Sequence, residues 1–91
     1  MLFQLHYTAG SYWLRAGYDK GRGKFYLKDS AGKVQYLTLN LETEDFVTVG
    51  VCQTATTRKF YVWSSWSKAY AYDEATYAAL GDFDKLYLYE T

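Results

Sequence analysis

No proline occurs in these 91 residues, and cysteine and histidine occur once each, as Cys52 and His6. Without proline, no residue lacks the backbone N–H that a β-ladder needs, so long antiparallel pairings meet no covalent obstacle. A single cysteine excludes an intramolecular disulfide and a cysteine-based zinc site, and a single histidine excludes metal sites built on several imidazoles. Any Ser-His-Asp or Cys-His constellation would have to be assembled around His6. The chain has no basic, apolar leader at its start and no run approaching the ~20 apolar residues of a membrane-spanning helix, so the expectation is a cytoplasmic protein with no membrane partner. Excess charge is missing too: ten Lys and Arg balance ten Asp and Glu. A neutral chain has little of the electrostatic grip that sequence-independent duplex binding requires.

What is abundant is aromatic side chain: eleven tyrosines, five phenylalanines and three tryptophans, 21% of the residues. At this length one core is expected, so residues 1–91 read as a single β-rich domain. A domain so small buries only about 60% of its unfolded surface, and each large ring contributes about 150–250 Å² toward closing that deficit. Charge is unevenly distributed. Arg15, Lys20, Arg22, Lys24, Lys28 and Lys33 outnumber Asp19 and Asp29 over residues 15–33, whereas Asp73, Glu74, Asp82, Asp84 and Glu90 lie near the other end with Lys85.

Period-two alternation marks strands in several places. From Val34 to Glu42, Leu37, Leu39 and Leu41 oppose Tyr36, Thr38 and Asn40. From Phe46 to Gln53, Val47, Val49 and Val51 oppose Thr48, Gly50 and Cys52. Lys24 to Lys28 and Leu86 to Glu90 alternate likewise, and Leu2 to Thr8, Tyr12 to Tyr18 and Lys59 to about Trp66 read as further strands. The turns Asp19-Lys20-Gly21-Arg22-Gly23 and Ser30-Ala31-Gly32-Lys33 carry the glycines of tight hairpins. The expected architecture is a mainly β antiparallel sheet or small barrel of six to seven strands. Its core is expected to centre on Leu37, Leu39, Val47, Val49 and Leu88. One short helix is expected over 74–80, with Asp73 as N-cap, Gly81 as C′ residue, and Tyr77 and Leu80 docked on the sheet.

Candidate chemistry is sparse. His6 lies between Leu5 and Tyr7 in a strand, and Cys52 in its valine-rich strand reads as a small buried side chain, so no catalytic residue is assigned and the chain is expected not to be an enzyme. Asp82 and Asp84 could attract a hard cation, but they read as solvating a turn before the last strand, and no metal or cofactor is assigned. Lys20-Gly21-Arg22-Gly23-Lys24 lacks the spacing of a phosphate-binding loop and joins two strands, which makes it a hairpin turn.

Two short runs resemble known families. Trp63-Ser64-Ser65-Trp66-Ser67 matches the WSxWS motif of class I cytokine receptors. That motif sits in an extracellular module with cysteine pairs and prolines, which this chain lacks, so Trp63 and Trp66 are expected instead on opposite faces of a strand. Arg22-Gly23-Lys24-Phe25-Tyr26 resembles the basic glycine hairpin of the small single-stranded-DNA-binding proteins of filamentous phages, with Phe25 standing where a proline would be expected. That resemblance implies a nucleic-acid surface built on the hairpin and the aromatics after it.

The recurrent signal is a second set of rings, Tyr26, Tyr36, Tyr61, Trp63, Tyr87 and Tyr89, which alternate away from the core positions. Exposed tyrosines offer large contact area at little entropy cost, so these six are the expected partner-binding residues. The leading functional expectation is a small, non-enzymatic phage- or mobile-element-encoded inhibitor. It would bind a host protein, such as a defence nuclease, through this aromatic surface. The alternative is a nucleotide or single-stranded nucleic-acid binder that stacks bases on the rings and tracks phosphates with the basic 15–33 segment. The burial of these rings as a second core layer is a third outcome, and oligomeric state is not legible.

Overall fold

The computed structural model describes residues 2–39, 47–65, 68–79 and 81–88. Among them run eight strands: β1 Phe3–Tyr7, β2 Tyr12–Asp19, β3 Lys24–Asp29, β4 Val34–Leu37, β5 Val47–Gln53, β6 Thr57–Ser64, β7 Ala69–Thr76 and β8 Lys85–Leu88. They form two antiparallel sheets, one of five strands in the order β4-β3-β2-β1-β8 and one of three in the order β5-β6-β7. Two successive meanders thus build the sheets, and β8 returns to pair with β1. No helix is present among the described residues, and hence none long and apolar enough to cross a membrane.

Alternation sends one side chain in two toward the space between the sheets. Leu14, Ala16, Phe25, Leu27 and Leu37 enter it from the larger sheet, and Phe60 and Val62 from the smaller; all seven are buried. Leu39, Val47 and Val49 are half-buried and pack against this cluster. The core is therefore centred on β2, β3 and β6. Leu88 does not belong to it. Its register with Phe3 puts it on the core-facing side, yet it is 76% exposed. The smaller sheet packs through β6 and β7 against β4, and three strands do not cover five, so β8 at the opposite edge extends beyond the cover.

The helix expected over 74–80 is not formed. Glu74 to Thr76 complete β7, which pairs with β6 along its full length, from Thr57↔Thr76 to Ser64↔Ala69. A two-turn helix has few hydrogen bonds to offset its nucleation cost, whereas an eight-residue ladder satisfies the β6 edge and pairs tyrosines across strands. Asp73 caps nothing: its carboxylate accepts from Gln35 Nε2 at 2.8 Å. Gly81 follows no helix and instead lies against the Tyr7 ring. Leu80, Leu41, Trp66 and Tyr89 lie outside the described residues.

Polar side chains also enter the interior. Arg58 on β6 and Asp29 at the end of β3 are 1% and 2% exposed and form an ion pair across the two sheets, Nη1 to Oδ2, at 2.8 Å. Arg58 Nε donates to Gln53 Oε1 at 2.7 Å, and the Tyr77 ring lies 5.2 Å from the guanidinium. The second Asp29 oxygen accepts the N–H groups of Ala31 and Lys33 at 2.9 Å each, which shapes the β3–β4 turn. Gln35, buried on β4, reaches across to Asp73 on β7. Two polar links thus join the layers at the end that carries this turn.

At the far edge, the Asp84 carboxylate precedes β8 and accepts from Thr8 N–H at 3.0 Å and Thr8 Oγ1 at 3.2 Å. The Thr8 backbone N–H outweighs desolvation and, with smaller help from the Thr8 hydroxyl, the Asp84 backbone and Lys85, holds this carboxyl below its ordinary value of 3.8.

These contacts yield two expected outcomes. Arg58→Met leaves Asp29 buried without its cation and should cost about 3–5 kcal/mol by chemical denaturation; a loss below about 1 kcal/mol would show that the pair does not join the sheets. Because the pKa of Asp84 is depressed by folding, its contact stabilises at pH above the ordinary carboxylate value and is lost as pH falls through the lowered one. Amide exchange in Lys85–Leu88, relative to β3, should therefore accelerate on going from about pH 5 to about pH 2 in the parent and less in Asp84→Asn. The same acid response in both proteins would remove Asp84 as the cause.

Candidate functional site

The side chains that do not enter the core form two outward surfaces, one on each sheet. Of the six rings expected to share a surface, the five that lie among the described residues are divided between them. Tyr26, Tyr36 and Tyr87 stand on the outer face of the larger sheet, and Tyr61 and Trp63 on that of the smaller. The reason is connectivity: β6 belongs to the second meander, and alternation gives a residue's side of a strand without giving the sheet.

On the smaller sheet, register places Tyr61 beside Tyr72 and Trp63 beside Tyr70. All four rings are open to solvent, Tyr61 and Trp63 at 37%, Tyr72 at 55% and Tyr70 at 61%. Tyr70 and Tyr72 lie nearly parallel, with centroids 6.0 Å apart. Tyr61 folds over Gly50 on β5, and a Cβ at that glycine would collide with the ring. Lys59 and Glu74, opposite in sign and paired in register, belong to this surface, with the Lys59 ammonium 5.1 Å from the centre of the Tyr72 ring, and the exposed Lys68 precedes β7. The surface is therefore aromatic and close to neutral. Tyr70 and Tyr72 were not among the expected residues, although the alternation Ala69-Tyr70-Ala71-Tyr72 carries the strand signal.

The outer face of the larger sheet differs in charge. Trp13 and Arg15 come from β2, Lys24, Tyr26 and Lys28 from β3, and Tyr36 from β4. Tyr26 opposes Tyr36 in register and lies over Gly17, where again no Cβ would fit. The Arg15 guanidinium sits 4.6 Å from the Trp13 ring, and its Nε donates to Gln4 Oε1 at 3.1 Å. Arg22, in the β2–β3 turn, reaches Tyr36 Oη at 3.4 Å and Asp19 at 3.6 Å. Lys20 is exposed in the same turn, whereas Lys33 lies in the turn at the other end of β3, 5.8 Å from the Tyr77 ring. The basic 15–33 segment thus contributes Arg15, Arg22, Lys24 and Lys28 to one surface and sends Lys33 elsewhere.

His6 and Cys52 point outward from different sheets. His6 stands on β1 beside Tyr87, ring centroids 6.1 Å apart, and Cys52 on β5 is exposed. The buried position expected for Cys52 is corrected by parity, since Val47, Val49 and Val51 take the inward side of that strand. Among the described residues, no three His, Cys, Asp or Glu side chains group to hold a metal ion. No family model, curated protein or solved structure matches this chain.

Proposed function

We propose that this protein is a non-enzymatic interaction domain that binds a protein partner through the aromatic face of β5, β6 and β7. One observation carries the reading: two cross-strand ring pairs, Tyr61 with Tyr72 and Trp63 with Tyr70, are all substantially exposed on adjoining strands. Tyrosine and tryptophan dominate interface energetics because a stiff ring buries much apolar area while its polar tip keeps a hydrogen-bonding partner. Lys59 and Glu74 offset each other, so the face carries little field and suits a partner surface of mixed polarity. Such a domain acts by occupying what it covers, and in this reading it inhibits a host protein by doing so.

The test is capture from a host lysate, with nucleic acid digested in a parallel sample, followed by an affinity measurement on the protein recovered. Trp63→Ala and Tyr70→Ala should each weaken binding by about 2 kcal/mol, roughly 30-fold, while shifting stability by no more than about 1 kcal/mol. Gly50→Ala should also weaken binding, because it re-aims Tyr61 without deleting it. Full affinity in Trp63→Ala and Tyr70→Ala would remove this face from the interface.

A further inference from the structure

The outer face of the five-stranded sheet is a second surface, of different chemistry, facing away from the one just described. Tyr26 and Tyr36 lie side by side on β3 and β4, and a depression of about 280 Å³ opens beside them, lined by Arg15, Asp19, Tyr26, Lys28, Val34 and Tyr36. Around this aromatic floor stand four cations, Arg15, Arg22, Lys24 and Lys28, against one carboxylate, Asp19, which Arg22 already engages. The cations are close to the rings. Lys24 Nζ is 5.9 Å from the centre of Tyr36, and Arg22 Nη1 touches its hydroxyl. The Tyr26 ring is held against the sheet by the missing side chain of Gly17, while Tyr36 is 44% exposed.

A ligand that satisfies both components needs flat apolar faces and regularly spaced negative charge. Single-stranded nucleic acid has both: bases stack on exposed rings and phosphates meet the cations beside them. A duplex keeps its base faces within the stack and would leave the tyrosines without a role. The neutrality of the whole chain is no obstacle, since Glu74, Asp82 and Asp84 lie outside this face. We infer that this face binds single-stranded nucleic acid, with a base stacked on Tyr36 beside Tyr26 and the adjoining phosphates held by Arg22, Lys24 and Lys28. The inference does not depend on the protein partner proposed for the opposite sheet, and either can fail alone.

The experiment is fluorescence anisotropy with labelled oligothymidylate and oligouridylate of about 12 nucleotides, a matched duplex, and polyglutamate of equal charge. The parent should bind at least one single strand more tightly than duplex or polyglutamate, and the two strands distinguish DNA from RNA. Three phosphate contacts give a log-log salt slope of about −2, or roughly 15-fold weaker binding between about 50 and 200 mM salt. Tyr36→Ala should bind about ten-fold more weakly at every salt concentration, and Lys24→Gln with Lys28→Gln should flatten the slope. Those two lysines are exposed, so the double variant reports on binding even where Tyr36→Ala folds poorly. No binding by the parent, or binding unchanged in both variants, overturns the inference. Polyglutamate held as tightly as the single strands also overturns it, assigning the face to an acidic protein.

Discussion

Arg58 and Asp29 form a buried ion pair between the two sheets. No strand of one sheet is paired with a strand of the other, so among the described strands the layers meet through side chains. Most of those side chains are apolar, and apolar contact is non-directional. A buried guanidinium is less tolerant. Outside contact with Asp29 it would lie uncompensated in the interior, a condition that costs several kcal/mol. The pair therefore selects one alignment of the layers, and Gln35 with Asp73 repeats the constraint between β4 and β7. Asp29 also organises the β3–β4 turn with its other oxygen, so the local hairpin and the sheet-to-sheet junction depend on one carboxylate.

From that junction follows the disposition of the two outer faces. With the layers aligned at one end, β6 and β7 cover β4, the outer sides of the sheets face opposite ways, and β8 is left at an uncovered edge. Each outer face uses the same device, a tyrosine laid over a glycine on the neighbouring strand: Tyr26 on Gly17 and Tyr61 on Gly50. The rings beside them, Tyr36 on one sheet and Tyr70 and Tyr72 on the other, are more exposed. The surfaces differ in what surrounds the rings. Four cations border one, while Lys59 and Glu74, opposite in sign, face each other in register on the other.

Much of the strand architecture was legible because period two is a local property. The alternation in Lys24–Asp29 and Val47–Gln53, and the glycines at the ends of β2 and β3, marked seven of the eight strands and two of the hairpins. The eighth was hidden under a capping pattern. Asp73 followed by Ala78-Ala79-Leu80-Gly81 has the composition of a short helix, but propensity of that size yields to a ladder with an available strand edge. Leu88 was misassigned for a related reason: alternation put it on the correct side of the sheet and could not say that the covering layer ends before reaching it.

By itself, then, the amino-acid sequence determined that the protein is mainly β and, in seven of its eight described strands, the side on which a residue stands. It excluded an intramolecular disulfide, cysteine-based zinc and sites with several histidines, because these depend on which residues exist. Tertiary structure decided everything that depends on which strands become neighbours. It divided one apparent set of rings into two faces and joined Trp63 with Tyr70 and Tyr61 with Tyr72. It gathered Arg15, Arg22, Lys24 and Lys28 around Tyr36 and Tyr26 while turning Lys33 away. It also brought Arg58 to Asp29 across 29 positions of the chain. The physical reason is that hydrogen-bonded ladders follow local rules, whereas the pairing of sheets is set by long-range burial and by the cost of leaving a buried charge alone.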